Sequence, residues 1–99
     1  MKLRVQSINF DATKTLEGYI EKKTSKLTKL TDEIINVDVY LKVVKPETAA
    51  NKEAEIKIKV PSAEFFASKT CDTFEEAIDL SVEALEKQIR KNKEKTNNK

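Results

Sequence analysis

Ile35-Asn36-Val37-Asp38-Val39-Tyr40-Leu41-Lys42-Val43 is the stretch that decides the fold. Ile35, Val37, Val39, Leu41 and Val43 fall on one side of an extended chain, and Asp38, Tyr40 and Lys42 on the other. Successive side chains of a strand point to opposite faces, so this pattern predicts a strand with one face in a core. Pro46 has no N–H for a ladder and ends it. Residues 47–52 read as a loop. Ala54, Ile56, Ile58 and Val60 then alternate with Glu55, Lys57 and Lys59, a second strand. Pro61-Ser62 marks a turn. A third alternating stretch, 63–70, sets Phe65 and Ala67 against Phe66 and Ser68, and the alternation does not decide which phenylalanine is buried. Upstream, residues 2–9 alternate as well, with Leu3, Val5 and Ser7 opposed to Lys2, Arg4 and Gln6.

Two segments change period. Leu16, Ile20, Leu27 and Leu30 share one stripe of a 3.6-residue period, which predicts a helix over 13–30 with Asp11 or Thr13 as its cap. Gly18 weakens it by about 1 kcal/mol relative to alanine. Phe74, Ile78, Val82, Leu85 and Ile89 form the stripe of a second helix over 74–92. Thr73 with Glu76, or Asp72 with Glu75, has the spacing of a capping box. The order β-α-β-β-β-α predicts an α+β two-layer sandwich: a four-stranded mixed sheet with both helices packed on one face. The first two strands, joined through a helix, should be parallel, and the rest an antiparallel meander. The expected organisation is one domain over 1–93 and a polar, frayed tail over 94–99.

Composition narrows the chemistry. With 99 residues the chain suits one domain, and with 36% charged and 38% hydrophobic residues its core must be economical. Histidine is absent and Cys71 stands alone, which removes nearly every zinc or copper site, any disulfide framework and the usual acid–base residue near neutral pH. Cys71 has no histidine to form its thiolate. Gly18 is the single glycine, so no glycine-rich phosphate loop exists. No leader-like apolar segment opens the chain and no apolar run is long enough to span a bilayer. These features predict a soluble cytoplasmic protein that is not an enzyme, with no cofactor, no metal, no small-molecule substrate and no membrane partner.

Charge placement is more informative than the net charge of +2. Asp72, Glu75, Glu76, Asp79, Glu83 and Glu86 fill the first part of the second helix without one Lys or Arg. From residue 87 onward come Lys87, Arg90, Lys91, Lys93, Lys95 and Lys99, with Glu94 the one acid. Helix-dipole compensation alone accounts for such an order. The first helix adds Lys22, Lys26 and Lys29 at i, i+4 and i+7, with Lys23 beside them, nearest the core and expected to reach outward to solvent. Side by side on one sheet face, the two helices would align these bases into one ridge suited to a phosphate backbone. Few aromatics accompany them, which favours structured RNA read by shape over single strands held by stacking.

Three stretches then carry a resemblance: Lys23-Thr24-Ser25-Lys26-Leu27; Val39-Tyr40-Leu41-Lys42-Val43; and Phe74-Glu75-Glu76-Ala77-Ile78-Asp79 leading to Leu85-Glu86-Lys87-Gln88-Ile89-Arg90-Lys91-Asn92-Lys93. In order and spacing the chain resembles the short ribosome hibernation-promoting factors and ribosome-associated inhibitors of the sigma-54 modulation protein family, from Met1 to about residue 95. The resemblance implies a β-α-β-β-β-α fold similar to double-stranded-RNA-binding domains. It also implies binding to the small ribosomal subunit between head and body, with steric blocking of the messenger and transfer RNA sites in stationary phase. Carried over by position, Lys23, Lys26, Lys87, Lys91 and Lys93 are the expected ribosomal-RNA contacts. Lys22, Lys29 and Arg90 join them by helical geometry.

The chain departs from the family pattern at three points. Ala84 stands where a lysine is frequent, so one phosphate contact is expected to be missing, with Arg90 as its replacement. Thr73 replaces an aspartate that caps equally well, and Glu75 replaces an aromatic. Long family members carry a further C-terminal domain that pairs ribosomes. Because the sequence stops soon after the second helix, that domain is expected to be absent; the free protein is expected to be a monomer. Pairing aided by another small factor and the idling of single ribosomes both remain compatible. The competing reading is a general structured-RNA-binding module without preference for ribosomes. A third is an adaptor using the open sheet face, where Tyr40, Val44 and one of Phe65 or Phe66 would lie.

Overall fold

The computed structural model describes residues 2–8, 10–30, 33–44 and 50–97, with side chains as far as Asn92. The expected break at Pro46, the side chain of Lys93 and the end of the tail lie outside the described residues. The elements run β1 (Lys2–Ile8), α1 (Lys14–Ser25), a 3₁₀ turn (Lys26–Lys29), β2 (Asn36–Val43), β3 (Lys52–Val60), β4 (Ala63–Cys71) and α2 (Phe74–Asn97). This is the expected β-α-β-β-β-α order. The sheet is mixed, in the order β1-β2-β3-β4, with β1 parallel to β2 and the remaining pairs antiparallel.

Register explains the core. Val5, Val39, Ile56 and Ala67 lie opposite one another in one row across all four strands, and Leu3, Val37, Ile58 and Phe65 in another. These rows form one face, and Leu16, Ile20 and Leu27 join them with Ala77, Ile78, Val82, Leu85 and Ile89 in a single cluster. Phe65 is therefore the buried phenylalanine, and its neighbour Phe66 is 54% exposed on the open face opposite Lys57. One residue of the deciding stretch departs from expectation. Ile35 is exposed and Ile34 is buried. β2 begins only at Asn36. At 35 the backbone already bonds both neighbours, its N–H to the Lys59 carbonyl at 2.8 Å and its carbonyl to the Lys2 N–H at 3.2 Å, but the residue precedes the regular strand and Ile34 takes the core position.

The expected helix over 13–30 divides. Thr13 caps α1, its hydroxyl accepting from the Leu16 N–H at 3.1 Å. After Ser25 the helix tightens into 3₁₀ geometry. Three hydroxyls explain where. Thr24 Oγ1 donates to the Ile20 carbonyl at 2.8 Å, Ser25 Oγ to Lys22 at 2.7 Å and Thr28 Oγ1 to Ser25 at 2.6 Å. Hydroxyls competing for carbonyls favour short, tight helix ends over continued α-helix. Gly18 is exposed, and a Cβ built on it meets nothing within 4 Å. Gly18→Ala is therefore expected to raise stability by about 0.5–1 kcal/mol. A denaturant midpoint that stays put would show that α1 does not share in the cooperative unfolding.

α2 runs past the expected end at 92 to Asn97, a stretch rich in lysine and glutamate with no Gly or Pro to stop it. Thr73 caps it, accepting from the Glu76 N–H at 3.1 Å. It packs on β3 and β4, with the small Ser81 hydroxyl 3.5 Å from the Ala54 carbonyl. Its Gln88 also closes part of the sheet edge. The Gln88 amide donates to the Phe66 carbonyl at 2.8 Å and faces the Phe66 N–H at 3.4 Å, taking the place of a neighbouring strand.

Candidate nucleic-acid interface

Chain direction sets up the interface. β1, β2 and β4 point one way and β3 the other. α1 returns from β1 to β2 and α2 folds back after β4, so both helices run against those three strands and parallel to each other. Side-chain contacts agree: Tyr19 meets Asp79 near the helix starts, and farther along Lys26 lines a cleft with Glu83 and Glu86. α1 has Glu17 in its first turn and Lys22 and Lys23 in its last, and α2 opens with Glu75 and Glu76. Each order complements its own helix dipole. Because the helices are parallel, the two charge gradients add, and one end of the helical layer is acidic and the other basic.

At the basic end Lys22, Lys26, Lys29, Lys87, Arg90 and Lys91 are exposed. The stripe of α1 that faces α2 is Tyr19, Lys23 and Lys26; Lys22 and Lys29 lie outside the cleft. On α2, Asp79, Glu83, Glu86 and Arg90 fall at i, i+4, i+7 and i+11, a single flank turned to α1. Lys87 follows Glu83 by four residues and points away from the core. Lys91, three residues after Gln88, lies toward the β4 edge. The expected ridge is therefore interrupted by acids at its centre and closes toward the helix C-termini, where Arg90 continues the line.

The cleft between the helices holds about 310 Å³ and is lined by Lys23, Lys26, Asp79, Val82, Glu83 and Glu86. Lys23 does not end free in solvent, as the sequence suggested. Its Nζ lies 3.2 Å from Asp79 Oδ1 and its side chain is 25% exposed. The Tyr19 hydroxyl donates to the same oxygen at 2.7 Å, and the Lys23 ammonium sits 5.4 Å from the Tyr19 ring centroid. The hydrogen bond to Asp79, then its charge, raises the pKa of Lys23; the hydrogen bond to Asp79, then burial, then the Asp79 charge raise that of Tyr19. Sequence reasoning missed Tyr19 and Asp79. The signal was a tyrosine four residues before Lys23, but without the pairing of the helices nothing named its partner. Arg90 approaches Glu86 on its own helix at 4.0 Å, 65% exposed, a contact of little weight in water.

Cys71 is buried, and burial pushes its thiol up and away from the reactive thiolate. Among the described residues no group of three His, Cys, Asp or Glu side chains could hold a metal ion. No helix among them is long and apolar enough to cross a membrane. On the open sheet face Arg4, Asp38, Lys57 and Phe66 form one cross-strand row, and Tyr40 is half-buried beside it.

The family model described as Sigma 54 modulation protein / S30EA ribosomal protein matches residues 3–97. A ribosome hibernation promoting factor of Azotobacter vinelandii is 32% identical over 95 residues, covering 96% of this chain and 85% of the relative. A ribosome hibernation promotion factor of Bacillus subtilis is 28% identical over 101 residues, and the chain spans about half, 52%, of its length. Among solved structures, a ribosomal subunit interface protein from Coxiella burnetii superimposes with a TM-score of 0.84 at 25% identity, covering 94% of this chain and 98% of that one. The N-terminal domain of Protein Y from Thermus thermophilus gives a TM-score of 0.78 at 25% identity, covering 92% and 98%.

Proposed function

This chain belongs to the Sigma 54 modulation protein / S30EA ribosomal protein family, and from that premise we propose that it is a ribosome-associated hibernation factor. Residues 1–93 act as one binding domain in the cytoplasm, monomeric when free. The domain docks on the small ribosomal subunit with its basic end against ribosomal RNA. There it occupies the space that messenger and transfer RNA need, and translation stays silent in stationary phase. The action is steric and electrostatic. No bond is made or broken, so neither cofactor nor small-molecule substrate is required.

The observation that supports this reading best is the parallel placement of α1 and α2. It brings Lys22, Lys26, Lys29, Lys87, Arg90 and Lys91 to one end of the helical layer. Lys93 extends the same helix, with its side chain outside the described residues. Lysines hold phosphates as point charges and read no sequence, so the partner must be recognised by its shape.

Co-sedimentation of the protein with small subunits, large subunits and whole ribosomes, at low and moderate salt, tests the reading. Saturable binding to small subunits that weakens as salt rises is expected, since each phosphate contact releases counter-ions. Equal affinity for free RNA duplexes would favour a general structured-RNA module. No binding to ribosomes at any salt would reject the hibernation role.

A further inference from the structure

Among the described bases of the two helices, Lys23 is set apart. It is the one whose ammonium is held across the helix interface, by Asp79 at 3.2 Å, with Tyr19 fixing the same carboxylate oxygen from α1 at 2.7 Å. Lys22, Lys26, Lys29, Lys87, Arg90 and Lys91 are exposed. We propose that Asp79, anchored by Tyr19, is an intramolecular counter-ion that withholds Lys23 from unspecific polyanions and releases it only to a rigid partner docked by the neighbouring bases. This rests on the RNA-binding reading above and adds to it a residue that determines specificity.

A lysine that arrives with its own carboxylate neutralises no phosphate and releases no counter-ion from the nucleic acid. A mobile RNA that gathers transiently on Lys26 or Lys87 gains too little from Lys23 to separate it from Asp79. A rigid surface that already aligns several phosphates presents one at a fixed place, and the exchange of partners then costs little. Asp79 is not left bare after the exchange. It keeps the Tyr19 hydroxyl, and its side chain is 43% exposed, so water solvates it. Glu83 and Glu86, on the same flank of the cleft, strengthen the selection against loosely held anions.

The test compares binding of the full chain to heparin, to a short random-sequence RNA duplex and to small ribosomal subunits across a salt series. Asp79→Asn is expected to steepen the salt slope on heparin and on the duplex by about one charge equivalent. It should also tighten binding to them about three- to tenfold at low salt. Lys23→Gln should leave the salt slope on these free polyanions unchanged, with a modest loss of affinity at low salt from the uncovered Asp79 carboxylate, whereas Lys26→Gln should lower the slope by about one. The Lys23→Gln/Asp79→Asn double variant should return to the slope of the parent. On small subunits Lys23→Gln should lose about tenfold, because there the lysine is engaged.

An unchanged slope for Asp79→Asn, or a fall in slope for Lys23→Gln on free RNA as large as that for Lys26→Gln, overturns the proposal. Thermal unfolding checks that Asp79→Asn is folded. If it is not, Tyr19→Phe, which loosens the carboxylate, must steepen the slope in the same direction. Should no variant, nor the parent, bind ribosomes, the hibernation reading fails, while the heparin and duplex series still decides the role of Asp79.

Discussion

Lys26→Glu combined with Lys87→Glu is expected to abolish binding to the small subunit at moderate salt, a loss of at least about a hundredfold, and to make the remaining salt dependence shallower by about two charge equivalents. Both side chains are exposed, one at the end of α1 and one on the outward face of α2, and neither lines the core. The double variant should keep the circular dichroism and unfolding temperature of the parent within a few degrees. The choice of pair follows from the geometry. Reversing Lys23 would set two acids against each other at Asp79 and disturb the helix interface along with the binding. Equilibrium sedimentation or fluorescence anisotropy over a salt series reads the effect. Retention of parent-like affinity would mean that the basic end of the helical layer is not the docking face.

Leu85→Ala is expected to have the largest effect on stability, about 2–5 kcal/mol. Leu85 is fully buried in the core cluster, between Val82 and Ile89 on the stripe of α2, the helix that packs on β3 and β4. Truncation leaves a cavity that a close-packed interior fills only partly. A domain of this size has a total stability on the order of 5–15 kcal/mol, so one such change removes a large share of it. Calorimetry should show a fall in unfolding temperature of roughly 10–30 °C. At low temperature the folded fraction should still bind ribosomes, which separates loss of packing from loss of charge. A fall of only a few degrees would mean that α2 is held mainly by contacts outside this stripe.

Much of the fold was legible because both periodicities are clean. Val37, Val39 and Leu41 in β2 and Ala54, Ile56, Ile58 and Val60 in β3 are buried as alternation within each strand requires, and the α2 stripe from Phe74 to Ile89 is buried throughout as its spacing requires. What alternation within a single strand left undecided was settled by register. Phe65 is inward because it stands opposite Ile58, a fact about two strands. The errors fell at element ends. Ile35 was assigned to a strand that had not yet begun, and the hydroxyls of Thr24, Ser25 and Thr28 tightened a helix whose apolar stripe continued unbroken.

The candidate interface was legible as charge and illegible as contact. Runs of acids and bases along α2 are written in its sequence, and so is the lysine stripe of α1. Which lysine would meet which acid depends on the relative shift of two helices 60 residues apart, as the Tyr19–Asp79 hydrogen bond illustrates. Lys23 was expected in solvent from its place on one helix, and it lies in the cleft because a second helix brings a carboxylate to it.

The two parallel helices also bear on how the protein travels to its target. Its net charge of +2 gives a large polyanion little to pull on from afar. Acidic starts and basic ends stacked in the same sense nevertheless give it a strong electric moment along the helical layer. In the field of a ribosome such a body experiences torque before it experiences much force. It is turned like a compass needle, so collisions with a polyanion begin with the basic end foremost. The benefit is a gain in encounter rate that fades once the field is screened beyond about 8–10 Å at physiological ionic strength.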